Sequence, residues 1–259
     1  SAPPLAGDQL VSLYKALDAP LIRTSVEVAE MVKYVDNTWH ALKIGFGNEI
    51  GRICKAIGID SHEVMNIFVQ DRKLNISPAY LKPGFAFGGS CLPKDLRALT
   101  YMARSSDLDV PILSSVLPSN QTQVALACGM IGQTGSKQIG LLGLSFKAGT
   151  DDLRESPLVD VVEWLIGKGY KLKIYDRNVN LAQLVGANRD YILKHIPHIS
   201  ELFVESVDEL VDHADVIVIG NQAGEFAAGL ANTGEKLIID LVRIFEDRRS
   251  DEHYQGLSW

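Results

Sequence analysis

The chain has 259 residues, 46% hydrophobic and 22% charged, which is typical of a globular protein with one large α/β domain or two smaller ones. Its 25 basic and 32 acidic residues give a net charge of −7, which argues against nucleic acid or an anionic membrane as a partner. The three cysteines, Cys54, Cys91 and Cys128, are far apart and odd in number. They exclude a disulfide framework and a CxxC metal ribbon, and they favour a reducing compartment.

Membrane and export signals are not evident in the sequence. The longest apolar segments, such as residues 158–166, contain charges and fall short of the roughly 18 residues of a membrane span. The N-terminal sequence SAPPLAGDQL lacks the basic and apolar regions of a secretory signal. It begins without Met, and Pro3 and Pro4 are typical of a linker. We therefore expect a cytoplasmic protein and a chain that is part of a longer one.

Helical patterns dominate the first half of the chain. Residues 5–17 have a helical pattern, and residues 20–24 favour a short strand. A long helix is predicted from Val26 to Ile57, about 48 Å in length. Its apolar residues recur every three or four positions, except at Glu49: Val28, Val32, Val35, Trp39, Leu42, Phe46 and Ile53.

Glycines mark the end of this helix and interrupt its interior. Gly58 is a plausible stop, and Asp60 and Ser61 are a plausible N-cap for the next helix. Three interior glycines each destabilise the helix by up to about 1 kcal/mol relative to Ala: Gly45, Gly47 and Gly51. Two interpretations remain open, a bent or broken helix and the close approach of a second helix, for example from another subunit.

The second half of the chain changes to strands that alternate with helices. A loop rich in Pro and Gly lies at residues 78–93, helical patterns follow at 96–104 and 121–131, and residues 132–136 resemble a domain boundary. The predicted strands are residues 139–144, 171–176, 215–219 and, as the last, 236–241. Helices are predicted from Ser156 and Pro157 onward and at residues 206–213. This alternation predicts a parallel, doubly wound α/β sheet.

Cys91 is the first candidate for chemistry. It follows two glycines and a serine and precedes Pro93, a residue type favoured at the start of a helix. The free N–H groups of a helix start, with Lys94 nearby, favour a reactive thiolate. Since no histidine has a partnering motif for a hydrolase, such a thiol suits addition to an aldehyde. Cys54 and Cys128 lie in apolar helical patterns, which indicates inert buried thiols.

Polar residues on the long helix form the second candidate. Lys33, Asn37, His40 and Asn48 fall within an arc of about 80° at helical spacing. A solvated face is the ordinary explanation of such an arc. However, an ammonium and an amide one turn apart, such as Lys33 and Asn37, can together stabilise a developing oxyanion.

The segment at residues 140–157 is the third candidate. It follows a predicted strand, at the position where doubly wound sheets bind ligands. Lys147 and Arg154 in this loop indicate a phosphate. The segment contains Gly-x-x-Gly but lacks Gly-x-Gly-x-x-Gly, so it is a poor dinucleotide fingerprint.

Together these three segments resemble the UDP-glucose/GDP-mannose dehydrogenase family. GGSCLPKD at residues 88–95 is similar to the nucleophile loop of the family, and FKAGTDDLRESP at 146–157 is similar to the loop that opens its C-terminal domain. Lys33-x-x-x-Asn37 is similar to part of its dimerisation helix. Residues 73–99 look most like members that convert GDP-mannose to GDP-mannuronate, an alginate precursor. UDP-glucose members usually carry a different loop before the cysteine, and UDP-glucose is the alternative substrate.

The resemblance implies a domain organisation. Residues 1–24 would end an N-terminal domain or form a linker, and 25–135 would form a central helical dimerisation domain with the nucleophile loop. Residues 136–259 would form a Rossmann-like domain that binds the nucleotide sugar. Family members begin with an NAD-binding domain carrying Gly-x-Gly-x-x-Gly, which this sequence lacks. The resemblance therefore implies a C-terminal portion that forms a homodimer through the long helix.

The resemblance also implies a four-electron oxidation with two NAD⁺ and assigns roles to residues. Cys91 would form a thiohemiacetal and a thioester, Lys33 and Asn37 would stabilise oxyanions, and Asp95 would activate water. Lys94 and Arg154 would contact cofactor phosphates. The nucleotide sugar would contact seven residues: His40, Asn48, Tyr80, Lys82, Phe85, Gly88 and Lys147.

Two other functions share part of this pattern. The β-hydroxyacid dehydrogenases also use a Lys-x-x-x-Asn helix, but they transfer one hydride and need no cysteine, so the Cys91 loop argues against them. The chain on its own would also suit a non-catalytic module for dimerisation and nucleotide-sugar binding.

Overall fold

The computed structural model describes residues 4–59, 61–77, 83–179, 184–230 and 233–258. It forms two compact units, Ser1–Ile67 and Phe68–Trp259. The domain limits predicted from the sequence, 25–135 and 136–259, remain predictions. Among the described helices, none is both long and apolar enough to cross a membrane.

The first unit consists of helices. α1 spans Pro4–Tyr14, α2 spans Val26–Ala56, and α3 begins at Ser61 and spans Ser61–Phe68. The 31 residues of α2 form one continuous helix, as the periodicity predicts, and its interior glycines do not interrupt it. The predicted strand at residues 20–24 is wrong, because these residues are exposed and pair with no strand in the described chain.

Gly58 ends the long helix as predicted. Its φ of 77° lies in the left-handed region that favours glycine. The backbone N–H of Ile59 donates to the carbonyl oxygen of Cys54 at 3.0 Å, which closes the last turn in a Schellman-type motif. Asp60, the predicted cap of the next helix, lies outside the described residues.

The second unit contains a parallel sheet of five strands. These are β1 (Gln138–Leu142), β2 (Lys171–Tyr175), β3 (Val216–Ile219), β4 (Leu237–Asp240) and β5 (Tyr254–Gly256). Their order is β2-β1-β3-β4-β5, and every pair is parallel. The predicted doubly wound fold is therefore confirmed. Residues 236–241 contain β4, but the prediction that this strand is the last one is wrong, because β5 follows it. β5 has three residues, which are too few to show an alternating pattern in the sequence.

Six helices and one 3₁₀ turn complete the described part of this unit. α4 spans Leu92–Ser105 and α5 spans Pro111–Gln133, before the sheet. The helices within the sheet region are α6 (Pro157–Gly167), α7 (Gly186–His195), α8 (Val207–His213) and α9 (Gly224–Gly229), and the 3₁₀ turn is Ile199–Leu202.

The core forms where β1 and β3 meet the apolar face of α6. β3 has the sequence VIVI and is buried along its whole length, as expected for a central parallel strand. Leu158, Val161 and Leu165 of α6 are buried against this layer. Ser156 caps α6, as predicted: its hydroxyl accepts from the N–H of Leu158 at 3.4 Å. The same hydroxyl donates to the carbonyl oxygen of Leu144 at 2.8 Å.

A buried carboxylate forms hydrogen bonds both to β5 and to the loop after β4. Asp240 is fully buried at the end of β4. Its Oδ1 accepts from the N–H of Val242 at 2.9 Å, and its Oδ2 accepts from the N–H of Ile244 at 2.8 Å. The hydroxyl of Tyr254, on β5, donates to the same Oδ2 at 2.8 Å. This network holds the loop that follows β4 against the edge of the sheet.

Replacing Tyr254 by Phe should reduce the free energy of unfolding by about 1.5–3 kcal/mol, because a buried charged carboxylate loses a hydrogen bond. Urea denaturation followed by circular dichroism measures the change. Tyr101→Phe is the matched control, since Tyr101 is 67% exposed. Equal effects of the two substitutions would contradict a stabilising role for the Tyr254–Asp240 hydrogen bond.

Candidate functional site

A cavity lies at the carboxyl ends of the strands, where the strand order reverses. β1 lies between β2 and β3, so the next strand in sequence, β2, lies on one side of β1 and the later strands lie on its other side. Doubly wound sheets bind ligands at this switch point. The cavity has a volume of about 910 Å³. It is lined by residues after β1, β3 and β4 and by residues 83–86: among them Phe85, Lys147, Leu158, Asn221, Gln222 and Arg243.

Two of the substrate contacts predicted from the sequence line this cavity. Phe85 is half-buried in its wall, and Lys147 is exposed at its rim. Lys147 lies in the loop after β1, where the sequence indicated a phosphate. The structure thus brings together residues 83–86 and the segment at 146–157, which are distant in sequence.

Two lining residues were not singled out from the sequence. Asn221 follows β3 and Arg243 follows β4. The rule that ligands bind beyond the carboxyl ends of parallel strands is the signal that points to both. The Nδ2 of Asn221 donates to Ser145 Oγ at 3.3 Å, and its Oδ1 is buried without a hydrogen-bond partner among the described residues. A buried amide oxygen in a cavity wall can accept a hydrogen bond from a ligand.

In the loop after β1, backbone N–H groups that could bind a dinucleotide are already hydrogen-bonded to a carboxylate of the protein. In a dinucleotide-binding Rossmann fold, the corresponding backbone N–H groups face the pyrophosphate. Here the N–H groups of Leu144 and Ser145 donate to Oδ2 of the buried Asp176, at 2.8 and 3.1 Å. The start of α6 is capped by Ser156, and Pro157 has no N–H. The described residues of this sheet therefore do not fit NAD.

The loop at residues 88–91 packs directly on the loop that precedes α6. Gly88 is buried, and a side chain there would collide with the Glu155 carbonyl oxygen and with Pro157. Gly89 has a φ of 86°, and a Cβ at this position would lie 2.8 Å from the Phe146 ring. The two segments that the sequence analysis treated as separate candidates therefore form one structure.

Cys91 is the N-cap residue of α4 and is exposed. Its carbonyl oxygen accepts from the N–H of Asp95 at 3.0 Å, which closes the first turn, and Pro93 is the second residue of the helix. Ser90 Oγ lies 3.9 Å from Cys91 Sγ. This places an accessible thiol beside free backbone N–H groups at a helix start.

The other two cysteines are buried. Burial, together with the nearby Asp160 carboxylate, raises the pKa of the Cys128 thiol to about 11. A thiol with this pKa is almost wholly protonated near neutral pH, so it reacts slowly with electrophiles.

Three further predicted residues of the second unit are charged, and two of them, Lys94 and Asp95, are exposed. Lys94 and Asp95 form an ion pair of 3.5 Å in the first turn of α4. Arg154 donates through Nε and Nη2 to the Asp152 carboxylate, at 2.9 and 2.8 Å. This pairing lowers the pKa of Asp152 and leaves one face of the Arg154 guanidinium in solvent.

For the other predicted site residues, either the side chain or the whole residue lies outside the described part of the structure. Lys33, Asn37, His40 and Asn48 lie in the helical backbone of α2, but their side chains are outside the described part. Tyr80 and Lys82 lie outside the described residues altogether. Their roles stay predictions.

Comparison with protein-family models gives two matches. Residues 27–122 match the central domain of the UDP-glucose/GDP-mannose dehydrogenase family. Residues 140–247 match the UDP binding domain of the same family. The chain belongs to this family. The first match contains Cys91, and the second contains the cavity residues that follow β1, β3 and β4.

Individual relatives agree with this assignment. GDP-mannose 6-dehydrogenase from Pseudomonas aeruginosa is 54% identical over 98% of this chain. The enzyme of that name from Azotobacter vinelandii is 50% identical over the same share. UDP-glucose 6-dehydrogenase from Bacillus subtilis is 34% identical over 81% of the chain. The chain spans 58% of the length of the two GDP-mannose enzymes and 46% of the Bacillus enzyme.

Solved structures of the family have the same fold. A ternary complex of GDP-mannose dehydrogenase from Pseudomonas aeruginosa matches with a TM-score of 0.93 and 52% identity, covering 98% of this chain and 58% of that one. A UDP-glucose dehydrogenase from Pyrobaculum islandicum matches with a TM-score of 0.58 and 29% identity, covering 100% of this chain and 57% of that one.

Limited alkylation with iodoacetamide at neutral pH should modify Cys91 before Cys54 and Cys128, because only Cys91 is exposed. Peptide mapping by mass spectrometry after short exposure measures the order. Cys91→Ser is the control, and it should remove the fast phase of alkylation. Faster labelling of either buried cysteine would contradict the assignment of Cys91 as the reactive thiol.

Proposed function

We propose that this chain forms part of an NAD-dependent nucleotide-sugar 6-dehydrogenase that oxidises GDP-mannose to GDP-mannuronate. The observation that carries the proposal is the exposed Cys91 at the start of α4, in a loop packed beside the cavity at the switch point of the sheet. The choice of sugar is supported by the relatives, since GDP-mannose 6-dehydrogenases reach 50–54% identity and UDP-glucose 6-dehydrogenases reach 33–34%.

Cys91 would act in the second half of the oxidation. The C6 alcohol first loses a hydride and a proton to become an aldehyde. The Cys91 thiolate then adds to the aldehyde carbon, which gives a thiohemiacetal. Loss of a second hydride and a proton converts this adduct to a thioester, and water releases the acid and regenerates the thiol. Two NAD⁺ molecules in succession would accept the two hydrides, and in this proposal they bind outside the sheet described above.

Charged and polar residues are proposed to support these steps. Lys33 and Asn37 are proposed to donate hydrogen bonds to the alkoxide and the tetrahedral oxyanions. Asp95 lies one helical turn after Cys91, so its carboxylate is suited to activate the water that hydrolyses the thioester. Lys94 and Arg154 are the proposed contacts to cofactor phosphates.

The cavity is proposed to hold the nucleotide sugar. Phe85 offers an aromatic face for stacking on the base or the sugar. Lys147 offers a cation for the diphosphate, and the unpaired Oδ1 of Asn221 offers an acceptor for a hydroxyl or an N–H of the ligand. Arg243, at the opposite wall, adds a second cation. Five further residues complete the proposed substrate contacts: His40, Asn48, Tyr80, Lys82 and Gly88.

We also propose that the enzyme is a homodimer that associates through α2. Several apolar residues on this helix are exposed in the single chain, including Val28, Val32 and Trp39. An exposed apolar stripe on a long helix is typical of an association surface. The resemblance to the dimerisation helix of the family supports the same arrangement.

A second candidate function is a non-catalytic module that only binds the nucleotide sugar and dimerises. It is compatible with the closure of the sheet to a dinucleotide by Asp176, as is the dehydrogenase, which is proposed to bind NAD⁺ outside this sheet. The two functions differ in whether Cys91 is needed, so the thiol distinguishes them.

Titration calorimetry of this chain should give tighter binding for GDP-mannose than for UDP-glucose, and the weakest binding for NAD⁺. Lys147→Met should weaken the binding of GDP-mannose about tenfold, because the diphosphate loses a charge-assisted contact. Lys168→Met is the matched control, since Lys168 is exposed at the far end of α6. Tighter binding of NAD⁺ would reverse the proposed ligand, and tighter binding of UDP-glucose would replace the sugar.

In the full-length enzyme, Cys91→Ser should stop the reaction before release of the acid, because a serine adduct does not turn over as a thioester does. NADH formed per GDP-mannose, with product identification by mass spectrometry, measures this. The control Cys128→Ala, at a buried thiol, should keep complete conversion. Complete conversion by Cys91→Ser at the wild-type rate would favour the non-catalytic role for this loop.

A further inference from the structure

An ion pair connects the helix that begins at Cys91 to the loop that precedes α6. Arg97 lies six residues after Cys91 on α4, and Glu155 lies at the end of the loop after β1. Nη1 of Arg97 donates to Oε2 of Glu155 at 2.9 Å, and Nη2 donates to Oε1 at 2.5 Å. This is a bidentate guanidinium–carboxylate pair, which constrains orientation as well as distance.

The backbone of Glu155 contacts the nucleophile loop from the other side. Its carbonyl oxygen accepts from the N–H of Gly89 at 3.4 Å, and it lies against Gly88, where no side chain fits. One residue thus contacts the two glycines that lead to Cys91 through its backbone, and the helix that follows Cys91 through its side chain.

Glu155 is itself held in an unusual conformation. Its φ of 50° lies in the left-handed region, which is uncommon for a residue with a side chain. The next residue, Ser156, is fixed by its hydrogen bond to Leu144. Such conformations persist where the surroundings determine them, and they are frequent at functional sites.

We infer that Arg97 and Glu155 are positioning residues that hold Cys91 in register with the nucleotide-sugar cavity. The inference rests on the proposed function of Cys91 and of the cavity. The same loop carries Phe146 and Lys147 in the cavity wall and Glu155 against the nucleophile loop. The loop between β1 and α6 therefore contacts both the cavity proposed to hold the sugar and the segment that leads to the Cys91 thiol. The ion pair connects the same loop to α4, the helix that begins after Cys91.

A purely structural role would have a different signature. Both side chains are partly exposed, at 51% for Arg97 and 35% for Glu155. Exposed ion pairs contribute little to the stability of a fold. A positioning role instead affects the rate, because a small misplacement of a reacting group slows the chemical step without changing substrate binding.

The test uses the full-length enzyme and a double-mutant cycle. Arg97→Met and Glu155→Gln should each lower kcat for GDP-mannose about tenfold, with an unchanged KM and an unchanged melting temperature. The double variant should be no slower than either single variant, because both remove the same interaction. Arg97→Lys keeps the charge but loses the bidentate geometry, so it should recover only part of the rate. Arg104→Met is the matched control on the last turn of α4.

The outcomes separate this inference from the proposed function. An unchanged kcat, a change confined to KM, or independent effects of the two substitutions would overturn it. The rate of Cys91 alkylation by iodoacetamide needs no substrate, and it should fall about threefold in both single variants and in the double variant. If the wild-type enzyme does not oxidise GDP-mannose, the proposed function is wrong, and the alkylation rates alone test the positioning role. Equal rates of Cys91 alkylation in the wild type and all variants would then reject the positioning role.

Discussion

The candidate site depends on the two buried hydrogen-bonded ends of the loop between β1 and α6. At its start, the Asp176 carboxylate accepts from the N–H groups of Leu144 and Ser145. At its end, the Ser156 hydroxyl donates to the carbonyl oxygen of Leu144. Both connections are buried, where an unpaired polar group would be costly, so the loop has little freedom to adopt another shape. Its intervening residues are therefore presented in a defined arrangement.

This fixed loop serves two neighbouring surfaces at once. Phe146 and Lys147 lie in the wall of the cavity, whereas Glu155 lies against Gly88 and holds Arg97. On the opposite wall, Asp240 performs a similar function for the loop after β4 through its bonds to Val242 and Ile244. The loops that line the cavity are thus held by carboxylates buried at the ends of β2 and β4.

The same buried carboxylate distinguishes this Rossmann-like sheet from a sheet that binds a dinucleotide through the loop after its first strand. The topology and the position of the loop are those of a nucleotide-binding fold, but Asp176 uses the N–H groups that would face a pyrophosphate. A fold therefore provides the location of a site, and individual side chains determine its ligand. The distinction among the cysteines follows similar logic, since exposure at a helix start separates Cys91 from the buried Cys54 and Cys128.

Much of this protein is determined by local patterns in its sequence. The period of the apolar residues predicted α2, the short apolar runs predicted four of the five parallel strands, and Ser156 with Pro157 predicted the start of α6. The setting of Cys91 between glycines and a predicted helix start marked it as the candidate thiol, and the structure places it exposed at the start of α4. These features depend on neighbouring residues, whose spacing is visible in the chain itself.

Only the tertiary structure decided the contacts between distant segments. The pairing of Arg97 with Glu155 spans 58 residues, and the bond from Leu144 to Asp176 spans 32. Asn221 and Arg243 enter the cavity because their strands end at one edge of the sheet, and β5 is joined to the end of β4 by the hydrogen bond from Tyr254 to Asp240. The physical reason is that hydrogen bonds and ion pairs of this kind leave no periodicity in the sequence. They arise when the packing of the sheet brings the partners within about 3 Å of each other.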